Sequence, residues 1–132
     1  MKLFTTKQIK QLDAYTIAHE PISSIQLMER ASVAITDWLL QYFEKPQAVL
    51  VVAGPGNNGG DGLAVARLLS ACGFEVEVLL ISDGGKLSAD CEVNLKRLKE
   101  QGKVKIVETH GCASFEIFEL FPVETHSRAS LQ

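Results

Sequence analysis

Six consecutive apolar residues, Ala48-Val49-Leu50-Val51-Val52-Ala53, run directly into Gly54-Pro55-Gly56-Asn57-Asn58-Gly59-Gly60-Asp61-Gly62. No other stretch constrains the fold as strongly. A short, β-branched, continuous apolar run reads as a central parallel strand covered on both faces, because an amphipathic strand would alternate. Glycines straight after it permit a sharp turn and close backbone approach. The segment that follows has helical composition from about Asp61 to Cys72, and Gly73 is suited to a left-handed helix stop. The unit is a strand, a glycine loop and a helix.

The flanking segments repeat this logic. Thr5 and Gln8 have capping-box spacing ahead of a helix over 6–19. Its stripe is Ile9, Leu12 and Tyr15, and Pro21 ends it. Ser23 and Gln26 repeat the box ahead of a helix over 24–43. Met28, Ala31, Ile35, Trp38, Leu39 and Tyr42 are expected on its inner face. After the glycine unit come a strand over 74–81, a turn over 82–85, a helix over 88–101 and a strand over 104–107. The helix over 88–101 presents Leu87, Cys91, Leu95 and Leu98 inward. The order ααβαβαβ demands crossovers and a parallel sheet. The expected fold is therefore α/β, a three-layer αβα Rossmann-like parallel sheet with an N-terminal helical pair. Residues 108–132 do not continue the order. Phe115, Phe118 and Phe121 form an aromatic cluster ahead of Pro122, and 123–132 reads as a polar tail.

The 132 residues suit one domain, and the net charge of −3 gives no cause to expect a nucleic acid or an anionic membrane as partner. No segment is apolar over the roughly 18 residues a membrane span needs. Cys72, Cys91 and Cys112 are too widely spaced for a zinc site or a disulfide framework, which suggests a reducing cytoplasm. His19, His110 and His126 lack metal-ligand spacing.

Gly54-Pro-Gly56-Asn-Asn-Gly59 has the form GxGxxG between a strand and a helix, the arrangement that cradles a pyrophosphate on helix N–H groups. Asp83 stands where a ribose-binding acid would be expected. Three details set the loop apart from a standard dinucleotide turn. Asp61 places a carboxylate in the expected first turn of the helix, where it opposes a second anion. Asn57 and Asn58 add amide oxygens, which suit a hard cation. No Lys-Ser or Lys-Thr pair follows, which excludes a Walker A loop. Asp13 and Glu29 read as solvated helix residues and Arg67 as an ion-pairing surface residue. Trp38 and the Met28 stripe read as core or interface.

Gly54–Gly62 followed by Leu63-Ala64-Val65-Ala66-Arg67 closely resembles the signature of the YjeF N-terminal domain family, the NAD(P)H-hydrate epimerases. Leu27-Met28-Glu29-Arg30-Ala31, Leu12-Asp13 with Ile17, and Lys86-Leu87-Ser88-Ala89-Asp90-Cys91 with Asn94 are similar to further family segments. The likeness covers residues 1–107, leaving 108–132 as an atypical tail. It implies an isomerase of nicotinamide-nucleotide repair, interconverting the R and S epimers of hydrated NADH and NADPH. It implies that Asn57, Asn58, Gly59, Gly60 and Asp61 line the substrate site and that Asn58 ligates a potassium ion. A homodimer, and a dehydratase domain or partner in the intact protein, are implied in the same way.

The family's later Asp-Ala-x-Phe-Gly-x-Gly and Ser-Gly motifs, which supply the acid/base and a second potassium ligand, find no match in 108–132. The expectation is a domain missing its C-terminal part, with impaired or no turnover by itself. The alternatives are a non-catalytic nucleotide-binding module and a scaffold protein without a ligand.

Overall fold

The structure is a computed structural model and describes residues 3–82 and 84–110. The elements follow the order α1 (Thr6–His19), α2 (Ser24–Tyr42), β1 (Ala48–Ala53), α3 (Asn57–Ala71), β2 (Glu75–Ser82), α4 (Ala89–Gln101) and β3 (Lys105–His110). This is the expected ααβαβαβ order. Both capping boxes form: the Thr5 and Ser23 side chains accept from the Gln8 and Gln26 N–H groups, and each glutamine side chain reaches back to its cap backbone. Gly73 has φ +90° and ends α3, with the Phe74 N–H returning to the Leu69 carbonyl. Strand β3 continues to His110, three residues past the expected end at Val107.

The strands form a parallel sheet in the order β1-β2-β3, with Val51 opposite Val78 and Val78 opposite Ile106. Val76, Val78 and Leu80 of β2 point into a core with Leu63, Ala66 and Leu69 of α3 and Cys91 and Leu98 of α4. Helices α3 and α4 pack against each other, α2 lies mainly over α3, and α1 touches only α2. The parallel α/β, Rossmann-like architecture and the N-terminal helical pair are those expected. Of the three expected layers, the described residues hold the sheet and the helices on one of its faces.

Three local expectations are corrected. Among the described strands β1 lies at an edge, not at the centre, and Leu50 and Val52 are exposed. Each crossover steps the sheet onward in the same direction, so chain order becomes sheet order and β2 takes the middle. Helix α3 begins at Asn57 rather than Asp61, so only Gly54-Pro55-Gly56 is loop. Glycine's low helix propensity argued for a longer loop, but tertiary packing overrides it here. Asp61 accordingly lies beyond the first turn of α3.

The third correction concerns α2. Its inner face is Met28, Ser32 and Thr36, all buried, continued by the half-buried Leu39. Ile35, Trp38 and Tyr42 of the expected stripe are exposed, and so are Ile9, Leu12 and Tyr15 of α1. Short side chains let α2 approach α3 closely. The Thr36 hydroxyl donates to the Ser32 carbonyl at 2.8 Å and the Ser32 hydroxyl to the Asp61 carbonyl at 3.5 Å, so both buried hydroxyls are satisfied.

Candidate functional site

The strand β1 delivers Gly54 to the edge of the core, and the chain turns over Pro55 and Gly56 into α3. Gly56 is the N-cap and supplies no side-chain cap. The first intrahelical bond is Gly60 N–H to the Gly56 carbonyl at 3.1 Å. The N–H groups of Asn57, Asn58 and Gly59 precede it, so the helix presents uncapped donors and the positive end of its dipole.

The glycines divide into two kinds. A Cβ on Gly59 would stand 1.8 Å from the Gly54 carbonyl oxygen, and one on Gly60 would stand 3.0 Å from Met28 Sδ and 3.2 Å from Cys91 Cα. Both residues are buried against the protein itself and can offer a ligand only backbone. At Gly54 and Gly56 an added Cβ would meet open space. The turn is held from α4: the Ser88 N–H donates to the Pro55 carbonyl at 2.8 Å, and Cys91 Sγ lies 3.8 Å from the Gly54 carbonyl.

A groove of about 510 Å³ runs beside this turn between α1, α2 and the head of α3. Its polar lining includes Lys10, Asp13, Ser24, Asn57 and Asp61, and its apolar lining includes Ile9, Ile17, Leu27 and Met28. A few polar groups on an apolar wall are usual for a small-molecule site. The structure thus brings Asn57 and Asp61 into one groove. Asn58 lies exposed on the same turn, and Gly59 and Gly60 lie buried behind it. Another concavity, on the outer surface of α4 at Glu92, Leu95, Lys96, Lys99 and Glu100, carries none of the loop residues.

Burial raises the Asp61 carboxyl above its ordinary range, and the neighbouring Asp13 and Asp90 carboxylates raise it further. Asp90 is tied to α2 by a hydrogen bond from the Ser24 hydroxyl. The groove is therefore acidic beside the positive end of α3. Burial, then Glu92, raises the Cys91 thiol, which makes it an unreactive packing group. Among the described residues no group of three or more His, Cys, Asp and Glu could hold a metal ion. No helix among them is long and apolar enough to cross a membrane.

Asp13, expected to be solvated, is exposed and also lines the groove. Glu29 is half-buried: Arg67 Nη2 reaches its two oxygens at 2.5 and 2.7 Å, and Arg97 lies 3.4 Å away. Arg67 is thus the ion-pairing residue expected, turned inward. Asp83, Cys112, His126 and the cluster Phe115, Phe118 and Phe121 lie outside the described residues. Sequence reasoning missed Ser24 and Asp90, which are 66 positions apart and meet only through the fold. It also passed over Lys10.

A parallel α/β sheet with a glycine turn feeding an uncapped helix defines a Rossmann-like domain with a ligand groove at a strand's C-terminal end. Residues 24–119 match the family described as YjeF-related protein N-terminus, and the chain belongs to that family. The match continues beyond residue 107, where the sequence reading ends the likeness. A protein named NAD(P)H-hydrate epimerase from Limosilactobacillus fermentum is 44% identical over 65% of this chain and 41% of its own length. One of the same name from Anaerococcus prevotii is 38% identical over 90% of this chain and 53% of its own length. The crystal structure of yeast ynu0 superposes with a TM-score of 0.67 at 26% identity, covering 82% of this chain and 47% of that one. The chain spans about half the length of the curated relatives it matches.

Proposed function

We propose that this chain carries the nucleotide-binding part of an NAD(P)H-hydrate epimerase, an isomerase that interconverts the R and S epimers of hydrated NADH and NADPH. The observation that carries the reading is the placement of Asn57-Asn58-Gly59-Gly60-Asp61. The motif forms the uncapped head of α3 beside an acidic groove, in a chain 44% identical to a relative bearing that name.

The residues divide the work by chemistry. The N–H groups of Asn57, Asn58 and Gly59 hold the dinucleotide's phosphates, as uncapped helix ends do. Asn57 and Asp61, on the groove wall, orient the polar edge of the hydrated ring. Apolar Ile17, Leu27 and Met28 shield it from water. Epimerisation at a hydroxyl-bearing carbon needs a positioned proton donor and acceptor. Asp61, whose carboxyl is raised, can hold a proton at the groove wall.

A potassium ion is the proposed cofactor, with the Asn58 carboxamide oxygen as one ligand. The side chain is exposed on the turn, and hard cations take oxygen donors. The carboxylates of Asp13 and Asp90, the neighbours of Asp61, offset the positive end of α3 for such an ion. When bound, the ion would supply positive charge to anchor the anionic ligand. A cytoplasmic setting supplies both potassium and free nicotinamide nucleotides. The exposed Ile35, Trp38 and Tyr42 of α2 support a homodimer, and a dehydratase domain or partner that consumes one epimer completes the proposed repair reaction.

The test is an epimerisation assay that follows the R and S forms of hydrated NADPH by chromatography, with potassium or with choline as counter-ion. Potassium-dependent turnover by the chain, or by its intact protein, supports the proposal. Saturable binding without turnover in either would instead favour a nucleotide-binding module.

A further inference from the structure

We infer that Asn94 is a positioning residue, whose buried amide pins Met28 so that Met28 and Cys91 form the slot that fixes Gly60 and aims the N–H groups at the head of α3. The inference rests on the proposal that the head of α3 is the ligand site.

Asn94 lies on α4 and is 1% exposed. Its Nδ2 donates to Met28 Sδ at 3.1 Å and to the Asp90 carbonyl at 3.2 Å. Its Oδ1 is buried and has no partner among the described residues. A buried acceptor left unpaired is a net liability for stability. A leucine has the same γ-branched outline and no polar atom to leave unpaired, so side-chain shape alone does not account for an asparagine here.

Met28 gives the amide a purpose. An unbranched thioether side chain has several rotamers and adapts to its surroundings. The bond from Asn94 selects one of them. In that rotamer Met28 Sδ stands 3.0 Å and Cε 3.2 Å from where a Gly60 Cβ would be, with Cys91 Cα at 3.2 Å. The pinned side chain therefore occupies the space that a Gly60 Cβ would need. Gly60 closes the first turn of α3 through the Gly56 carbonyl. Movement of Met28 thus becomes movement of the Asn57, Asn58 and Gly59 donors. Helix α4 already grips the other side of the turn through Ser88 and Cys91. Asn94 and Met28 complete the clamp.

The test uses the full 132-residue chain, labelled with ¹⁵N, as wild type, Asn94→Leu, Met28→Leu and the double variant. Three quantities are read: melting temperature, amide hydrogen exchange at Gly60 against Leu69 and Val78, and the titration of the Asn57–Asp61 amides with hydrated NADPH. In Asn94→Leu the melting temperature should change little while Gly60 exchanges roughly fivefold faster, the factor one lost net hydrogen bond carries. Leu69 and Val78 should be unchanged. Met28→Leu keeps the buried volume and must reproduce the Gly60 effect, and the double variant must be no worse than either single one. The dissociation constant for hydrated NADPH should rise in step.

Unchanged Gly60 exchange in both single variants would overturn the inference. So would an acceleration shared equally by Leu69 and Val78, which marks a merely structural role. If wild type shows no titration at all while the Gly60 effect stands, the ligand assignment fails and the clamp on the turn remains.

Discussion

Gly59 is folded so tightly against Gly54 that a Cβ on the former would stand 1.8 Å from the carbonyl oxygen of the latter. The obstacle is backbone and cannot rotate away. Gly59→Ala is expected to destabilise the chain by about 3 kcal/mol, the upper range for overpacking. Gly54→Ala meets open space and should stay within about 0.5 kcal/mol of wild type. Urea unfolding of both variants checks the contrast; equal effects would contradict the packing role of Gly59.

Glu29 joins α2 to α3 through Arg67 and to α4 through Arg97, and Gln101 Nε2 adds a bond to the Arg67 carbonyl. The Arg67 pair is partly shielded from solvent, so it should exceed an exposed pair in strength. Arg67→Met is expected to cost about 1–2 kcal/mol, in the range for hydrogen bonds to charged groups. Adding Glu29→Gln should cost less than the sum of the two single changes, as a double-mutant cycle would show.

The small face of α2 makes an unusual pair of expectations. Ser32→Leu adds volume where α2 meets α3 and should cost about 1–3 kcal/mol. Trp38→Ala removes the largest side chain of the helix, yet from a site that is 60% exposed. It should change monomer stability by no more than about 0.5 kcal/mol. Thermal unfolding at low protein concentration distinguishes the two.

Asp61 carries a pH signature. Its folded carboxyl is raised above the ordinary 3.8 by burial and by Asp13 and Asp90. Between that value and its folded pKa the native state binds more protons than the unfolded state. Stability from this group therefore falls as pH rises through the window, and the cost is fully present above it. Asp61→Asn should be more stable than wild type at neutral pH, with the difference closing as pH falls toward the ordinary carboxylate range. Unfolding free energies of the two chains across acid to neutral pH provide the check. A constant difference would contradict the raised carboxyl.

The sequence disclosed what is set by neighbours along the chain. Thr5–Gln8 and Ser23–Gln26 place two helix starts, and the apolar run at 48–53 places β1, because caps and periodicity are local physics. The glycine motif located the turn into α3 for the same reason. What stayed hidden depends on tertiary contact. Asn57–Gly60 looked like loop, since nothing local shows that α2 and α4 press those residues into a helical turn. Ile35, Trp38 and Tyr42 drew the eye as an inner face because hydrophobicity outweighs size in such reading. The close approach of α2 to α3 instead selects Ser32 and Thr36. Ser24 with Asp90, and Asn94 with Met28, each meet across 66 positions, a separation at which local pattern carries no signal.

The central claim is that the head of α3 binds a hydrated nicotinamide dinucleotide with the help of potassium. Amide chemical-shift titration of the chain with hydrated NADPH, in potassium and then in choline, tests it most directly. The account predicts saturable shifts centred on Asn57, Asn58, Gly59, Gly60 and Asp61, weakened when choline replaces potassium. Absence of shifts at those five amides, or shifts centred elsewhere with no dependence on the cation, would contradict it.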